Sequence, residues 1–373
     1  MYLHVMNADS KFVGPITRMF EAAAPGMHEY IAVGSVGGNW IPAPGVVHVP
    51  DGPAAAAIAA RRVDWDGVLV HGLPFSTARP IMKVLAPTVA VAWYVWGFEA
   101  YEAWPALQRG LLMPKTRAAE ARLSGLPLTG RVRRAWRQLR DNPRDVLDRY
   151  DFCVTQIREE YELFVATGLL TSTQFHWGAV GMLDDYADTG ASASTGRDIQ
   201  VGNSATFSNN HLDVFDTLSR MDLGTRCVVA PLGYGDSRYR AVVTDAGKRL
   251  LGERFRPLEE FVPLEEYRTI LRQCGHVIMN QSRQQALGNI IEALWRGARV
   301  YLNDTTVYRA LVGAGYDVDL IEGSVRAGGS FDCASAKVLR NRELLREQLG
   351  TEHVVDETMK LLDVLSNGRV AYA

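Results

Sequence analysis

Residues 199–211 read IQVGNSATFSNNH. Ile199–Val201 is a short strand-like run that stops at Gly202. Small polar residues follow, and Asn209 or Asn210 can cap a helix behind them. A strand that ends in a small-residue loop and enters a helix is the repeating unit of an α/β sheet. The same pattern recurs on either side. Downstream, strands are expected at Arg226–Ala230, Phe255–Pro257, His276–Met279 and Arg299–Leu302. Helices are expected at Asn209–Met221, Arg238–Leu251, Pro263–Cys274, Leu287–Arg296 and Thr306–Gly313, then at Ala334–Leu349 and Glu357–Leu365. Pro263 followed by Glu265 and Glu266 is a helix-start signal. Upstream, strands are expected at Tyr2–Met6, Tyr30–Val33, Val46–Val49, Gly67–Val70, Thr88–Trp93 and Phe152–Thr155, with helices at Pro53–Arg62 and Arg79–Leu85. Their near-continuous apolar runs suit parallel strands covered on both faces.

The polar stretch LDDYADTGASASTGR, Leu183–Arg197, reads as a linker. The expected organisation is therefore an α/β domain at 1–182 with an Arg-rich helical insertion at about 104–150, the linker at 183–197, a second α/β domain at 198–345, and a helical segment at 346–373 packing back on the first domain. Ligands of open parallel sheets bind beyond the strand carboxyl ends. The fold class expected is α/β, two Rossmann-like domains facing a central cleft, as in the GT-B glycosyltransferases. Some epimerases and pyruvyl transferases share that architecture.

Composition sets outer bounds. The chain has 373 residues, 47% hydrophobic and 22% charged, with a formal charge of −2. That excludes a largely disordered chain and gives no global signal for nucleic acid. The 4 cysteines are scattered without metal or redox spacing, as in a reducing compartment. The start MYLHVMNADSKF lacks the pattern of a secretory signal. The longest apolar run, Val89–Phe98, is far short of the roughly 20 residues a spanning helix needs. A cytoplasmic protein is expected, with peripheral contact to the inner face of a membrane open.

Four strand-end elements of the second half could carry chemistry. In VGNSATFS, Gly202 allows close backbone approach, Asn203 and Ser204 offer short polar groups, and the following helix start favours phosphate. A simple capped connection is the alternative. In NQSRQQALGNIIE, Ser282, Arg283 and Gln284 form the loop tip and Gly288 and Asn289 begin the helix. Arg283 suits a diphosphate because guanidinium donates paired hydrogen bonds. Glu292 could accept a sugar hydroxyl or be a solvated helix residue. In APLGYG, Gly233 and Gly235 flank Tyr234. In FVPLEEY, Phe261 could face a planar base or staple the loop to its helix, and Tyr267 lies on that helix.

VGNSATFSNNH, APLGYG, FVPLEEYRTILRQC and RQQALGN, in this order, resemble the TDP-N-acetylfucosamine:lipid II N-acetylfucosaminyltransferase family of 4-alpha-L-fucosyltransferases. The family has VGNS-x-x-x-SN-x-H, P-x-GY and RQQ-x-x-G segments, so Gln285 joins the candidates. Asp9, the pair His71–Gly72 and YVWGFEAYE resemble its N-terminal segments, with Glu99 standing where an Asp is usual. The resemblance is dense over Ile199–Gly313 and thinner elsewhere. It implies a GT-B enzyme that binds a TDP-sugar in the C-terminal domain as substrate, without a separate cofactor, and glycosylates a polyprenyl-diphosphate-linked glycan. Another nucleotide-sugar donor, a pyruvyl transfer, or a non-catalytic sugar-nucleotide or lipid-glycan binder are the competing readings.

The first half should then hold the acceptor and any base. Asp9, His71 and Glu99 stand at strand ends and could take the proton of a sugar hydroxyl. Trp96 and Tyr101 suit stacking on a sugar, or ordinary core packing. No carboxylate pair stands at a strand end, so no metal is expected, and Arg283, helix starts and backbone N–H groups would balance the diphosphate. Residues 104–150 hold 11 basic residues, among them Arg131, Arg133, Arg134 and Arg137, against four acidic ones. With interleaved Leu and Trp, that reads as an amphipathic surface for an anionic membrane, or as a solvated hairpin packed on its apolar face.

Overall fold

The structure, a computed structural model, describes residues 1–35, 43–125, 142–193, 196–260, 262–326 and 338–368. They divide into two compact units. The first takes 1–109, 142–185 and 347–368, and the second 110–125, 186–326 and 338–346.

The first unit is built on β1 (Tyr2–Asn7), β2 (His28–Val33), β3 (Val46–Val49), β4 (Gly67–His71), β5 (Val91–Tyr94), β6 (Phe152–Thr155) and β7 (Gln174–Trp177). All pair in parallel, in the order β3-β2-β1-β4-β5-β6-β7. β4 and β5 are buried at every position, which is why their sequences are apolar without alternation. The helix Ser10–Ala23 lays Val13, Ile16 and Phe20 into the core at helical spacing. Gly14 and Pro15 hide this helix from a sequence reading, since both count as breakers. β7 also goes unread, because it is a half-exposed edge strand of polar and aromatic residues.

The second unit repeats the plan with β8 (Asp198–Val201), β9 (Val228–Pro231), β10 (Phe255–Leu258), β11 (Cys274–Met279), β12 (Arg299–Leu302) and β13 (Asp319–Leu320). The order is β10-β9-β8-β11-β12-β13, again parallel. Each sheet thus reverses its winding once, between β1 and β4 in the first unit and between β8 and β11 in the second. At such a reversal the loops leave in opposite directions and open a crevice.

One expectation about organisation needs correction. Residues 104–150 do not belong to the first unit as a block. The helix Pro114–Ser124 packs on the second unit, against the helices His211–Leu218 and Ser237–Leu251. The physical reason is a cap supplied from another element, described below. At the chain's end the helix Thr351–Ser366 covers the first sheet: Tyr2 donates to the Leu362 carbonyl at 3.0 Å, and Leu365 lies against Gly67.

Three buried histidines, His4, His71 and His211, and the half-buried His28 are biased toward the neutral form. Burial pushes His71 and His211 down to about 3, and lowers His4 and His28 as well. An unfolded histidine titrates near 6.5. Because the folded values lie lower, the unfolded chain binds the extra protons. Stability is full above about pH 6.5 and falls as pH drops toward the folded values. His71 and His211, both fully buried, each withdraw up to about 1.4 kcal/mol per pH unit below the unfolded value. Urea unfolding between pH 7.5 and 5 should therefore show a steep loss of stability, and a flat profile would contradict the buried neutral assignment.

Candidate functional site

The crevice of the second unit is held open by carboxamides. Asn209 is fully buried at the centre. Its Oδ1 accepts from the Asn203 backbone N–H at 3.2 Å and from Gln281 Nε2 at 2.8 Å. Its Nδ2 donates to the Ser204 carbonyl at 3.0 Å and to Thr206 Oγ1 at 2.7 Å. One side chain thereby ties the loop after β8 to the loop after β11. Gly202, at φ 67°, is required because a Cβ there would lie 2.7 Å from His211 Nε2 and 2.8 Å from Asn209 Oδ1. Its close approach is to the loop's own side chains, not the ligand contact that the sequence suggests.

Over this knot runs a row of hydroxyls. Ser204 Oγ, Thr206 Oγ1 and Ser208 Oγ follow one another at 3.1 and 3.3 Å. Gln285 closes the row from the β11 loop, accepting from Ser208 Oγ at 2.6 Å and donating to Thr206 Oγ1 at 3.3 Å. Asn203 Oδ1 and Gln284 Oε1 are buried without a partner among the described residues. Buried acceptors without partners cost free energy until a donor arrives.

The helix Leu287–Arg296 starts beside this row. Its cap is Ala286 at φ 60°, a left-handed conformation rare outside glycine, and no side chain caps it. The first N–H groups of the helix thus lack a side-chain acceptor, which makes this the anion-favouring end. Ser282, Arg283, Asn289 and Gly288 are half-buried around it, and Gly288 lies against Tyr186. Arg283 is the cation of this turn. The helix His211–Leu218 starts in the same way, from Asn210 at φ 50°, whose side chain turns away from the cap; Arg283 is what sets the Leu287 end apart.

The remaining candidates divide. Tyr234 is 48% exposed, and its hydroxyl accepts from Asn203 Nδ2 at 3.1 Å. Gly233 precedes it, while the tight position is Gly235, whose Cβ would meet the Ala205 carbonyl oxygen at 2.5 Å. That closeness serves a backbone bridge between Ala205 and Gly235 rather than a ligand. Tyr267 is half-buried, with burial raising its hydroxyl's pKa. Glu292 is taken up by Arg296 at 2.5 Å. Arg296 continues to Gln200 Oε1 at 3.2 Å, and Gln200 donates to the Gly202 carbonyl at 3.2 Å. Glu292 therefore steadies the Gly202 turn through two residues. Phe261 lies outside the described residues, as do Arg131, Arg133, Arg134, Arg137 and Arg140.

Sequence reasoning missed the strap 111–116. Asn210 Nδ2 donates to the Leu111 carbonyl at 3.1 Å, and Oδ1 accepts from Met113 N–H at 2.8 Å. Asp213 accepts from the backbone N–H groups of Lys115 and Thr116, both at 3.0 Å, capping the helix Pro114–Ser124 from another helix. Of the basic residues in 104–150, Lys115 pairs with Asp216, Arg144 donates to the carbonyls of Gly168 and Leu169, and Arg149 to those of Ala86 and Val89. Arg144 and Arg149 are spent on backbone carbonyls of the fold, while Lys115 sits in an exposed pair that contributes little. Among the described residues no helix is long and apolar enough to cross one.

The first unit's crevice corrects two of its base candidates. His71 is 0% exposed, with Nε2 on His4 Nδ1 at 3.1 Å. Glu99 is 2% exposed, and its Oε1 accepts from Trp93 Nε1 at 3.1 Å and from the Trp96 N–H at 2.8 Å. Neither can meet a substrate hydroxyl from inside the core. Tyr101 is buried against Phe164, so it is no stacking platform. Asp9 remains partly exposed at the end of β1, where it caps the helix Ser10–Ala23 by accepting from Lys11 N–H at 3.1 Å. Trp96 is half-buried, its ring tilted against Phe12 with centroids 4.6 Å apart, and it occupies the space above Gly72.

Comparison with known proteins fits this geometry. Residues 182–308, which hold the whole crevice of the second unit, match the family described as 4-alpha-L-fucosyltransferase, glycosyl transferase group 56. This is the family that the strand-end motifs resemble. The fold is similar to Anabaena HepE, solved in complex with UDP and glucose, at TM-score 0.64 and 11% identity over 98% of this chain and 100% of that one. It is also similar to an alpha,alpha-trehalose-phosphate synthase (UDP-forming) from Burkholderia vietnamiensis, at TM-score 0.62, 11% identity, and 98% and 99% coverage. Sucrose-phosphate synthase from Thermosynechococcus elongatus gives TM-score 0.59, 10% identity, and 98% and 99% coverage. The fold is GT-B, with two parallel-sheet α/β domains, and the protein is a glycosyltransferase.

Asp213→Ala removes the shared cap of the strap helix, a loss of about 1 kcal/mol for a capping carboxylate. Hydrogen exchange should quicken selectively across 113–124. Unchanged exchange there would show that the cap does not hold the strap.

Proposed function

We propose that this glycosyltransferase moves a deoxyamino sugar, such as 4-acetamido-4,6-dideoxygalactose, from a TDP-sugar to a hydroxyl of a lipid-linked glycan. One observation carries the donor assignment: a row of three hydroxyls faces a helix start that no side chain caps, with Arg283 in the turn between them. The Ser204 hydroxyl and the backbone N–H groups of the helix start are the donors for phosphate oxygens, because Ser208 gives its proton to Gln285 and Thr206 gives its own within the row, and the helix end adds partial positive charge. As the sugar leaves, charge grows on the diphosphate, and fixed donors stabilise it without reorganising. Arg283 supplies the full charge, so we assign the step no metal ion. The choice of TDP and of an amino sugar rests on the family that the motifs resemble. Asn203 Oδ1 and Gln284 Oε1, both short of a donor, suit the hydroxyl or amide N–H groups of a sugar.

Arg283→Ala should weaken TDP binding by about tenfold or more, the loss of about 1.4 kcal/mol or more for a charge-assisted contact. Titration calorimetry with TDP, UDP and GDP decides it. Wild-type affinity in the variant, or preference for GDP, would refute the assignment.

On the acceptor side we assign the proton-accepting role to Asp9, the strand-end carboxylate that remains open to solvent. Trp96 would offer its ring to the acceptor sugar. Asp9→Asn keeps an oxygen for the Lys11 N–H while removing the base. Its kcat should fall about a hundredfold or more, with TDP affinity unchanged. A near-normal kcat at saturating acceptor would rule Asp9 out.

A further inference from the structure

The first sheet carries a feature that donor binding and the Asp9 assignment leave unused. His28, His4 and His71 stand on β2, β1 and β4. Tyr2 pairs with His28 in the β1–β2 register and Met6 with His71 in the β1–β4 register. His4 lies between Tyr2 and Met6 on the same pleat face. The three rings therefore run diagonally from the amino-terminal edge of the sheet to its carboxyl edge, where the crevice is. His71 Nε2 meets His4 Nδ1 at 3.1 Å, and His4 Nε2 meets His28 Nδ1 at 3.0 Å. Both nitrogens of His4 are thus engaged. The outer nitrogens, His71 Nδ1 and His28 Nε2, are buried without a hydrogen-bond partner of good geometry.

We propose that His71, His4 and His28 form a proton relay serving the acceptor crevice, with uptake at His71 Nδ1 and discharge at His28 Nε2. This rests on the reading that an acceptor hydroxyl loses its proton on the first unit. The argument is a count of protons. Three neutral imidazoles hold three N–H groups. Two fill the inter-ring hydrogen bonds, and the third must sit at one outer nitrogen. Only two neutral arrangements exist, with the spare N–H on His28 Nε2 or on His71 Nδ1.

The carboxy-terminal turn of the helix Ser10–Ala23 favours the first arrangement. The Phe20 and Ala24 carbonyls and the Glu21 carboxylate face His28 and draw a proton toward it. The other groups facing the chain are the Met1 ammonium, the phenols of Tyr2, Tyr30 and Tyr94, and the apolar ring of Phe20. Tyr30 is itself committed to Glu21 Oε1 at 3.1 Å. His71 Nδ1 is then left as a bare acceptor at the crevice end, one residue from Gly72, whose carbonyl accepts from Asn7 at 3.3 Å.

The transfer balances. A proton arrives at His71 Nδ1, relayed from the crevice. His71 passes its Nε2 proton to His4 Nδ1, and His4 passes its Nε2 proton to His28 Nδ1. The Nε2 proton of His28 leaves to the half-buried Glu21 carboxylate, which faces that ring, and from there to solvent. No ring gains net charge, no carbon bond changes, and the reverse sequence resets the chain. Burial supports this, since it keeps all three rings neutral near pH 7.

The test combines nitrogen-15 NMR of histidine-labelled full-length protein with kinetics of His4→Phe and His4→Gln. In the wild type at pH 7.5 the spectrum should show three neutral rings, with a proton on His28 Nε2 and a bare His71 Nδ1. His4→Phe keeps a ring in the core and cuts both bonds, so the His71 and His28 tautomers should become independent and kcat should fall about tenfold, with TDP affinity unchanged. Added imidazole should restore part of that loss. His4→Gln, which can still hydrogen-bond, serves if the Phe variant does not fold. A cationic ring in the wild type, unchanged His71 and His28 signals in the variants, or a wild-type kcat without His4 would overturn the relay. If the wild type transfers no sugar at all, the functional reading fails. The relay as serving an acceptor falls with it, even if the NMR shows the chain.

Discussion

A parallel sheet that reverses its winding strands backbone amides and carbonyls at the point of reversal, because neighbouring loops turn away from each other. Those groups need partners. In the second unit the partners are carboxamides, above all Asn209, which accepts from two loops and donates back into one of them. Everything at the candidate donor site depends on that constraint. It fixes the glycine at 202, sets the hydroxyl row at its spacing, and brings Gln285 across from β11. The polar residues there are consequently of two kinds. Asn209, Asn210, Gln281 and Arg296 are consumed in building the crevice. Thr206 is spent likewise, accepting from Asn209 and Gln285, whereas Ser204, Ser208 and Asn203 keep hydrogen-bonding capacity for a ligand.

Much of the fold is legible in the sequence because buried parallel strands are apolar throughout and end in small residues. β9 and β11 are visible that way, and β8, β10 and β12 are read in spite of Gln200, Arg256 and Arg299. β13, two residues long, has no pattern to read, and the helix Ser10–Ala23 is masked by Gly14 and Pro15. The donor site is legible in outline, since its loops are continuous stretches. What sequence cannot separate is a polar residue pointing at a ligand from one pointing at a neighbour. Glu292 and Gly235 read as ligand contacts but serve a salt bridge and a backbone bridge. The strap is the converse case. Asp213 and Thr116 lie 97 residues apart, and such a pairing leaves no local signal.

The two crevices also differ in kind. That of the second unit is lined by neutral donors and acceptors beside one cationic turn, as a diphosphate requires. In the first unit the titratable groups sit beneath the surface. His71 and Glu99 are in the core, the former in a chain of imidazoles and the latter on two tryptophans, and Asp9 alone of the three candidates meets solvent. Burial of a base lowers its reach but not its influence, since a chain of hydrogen bonds can convey a proton that a single side chain cannot touch.

The central claim is that a nucleotide diphosphate seats between the hydroxyl row and the start of the helix Leu287–Arg296. Hydrogen exchange with and without saturating TDP tests it most directly. Protection confined to 202–210 and 281–290, and absent from the first unit's strand ends, is the predicted result. Protection that leaves both segments unchanged while TDP is bound would contradict the account.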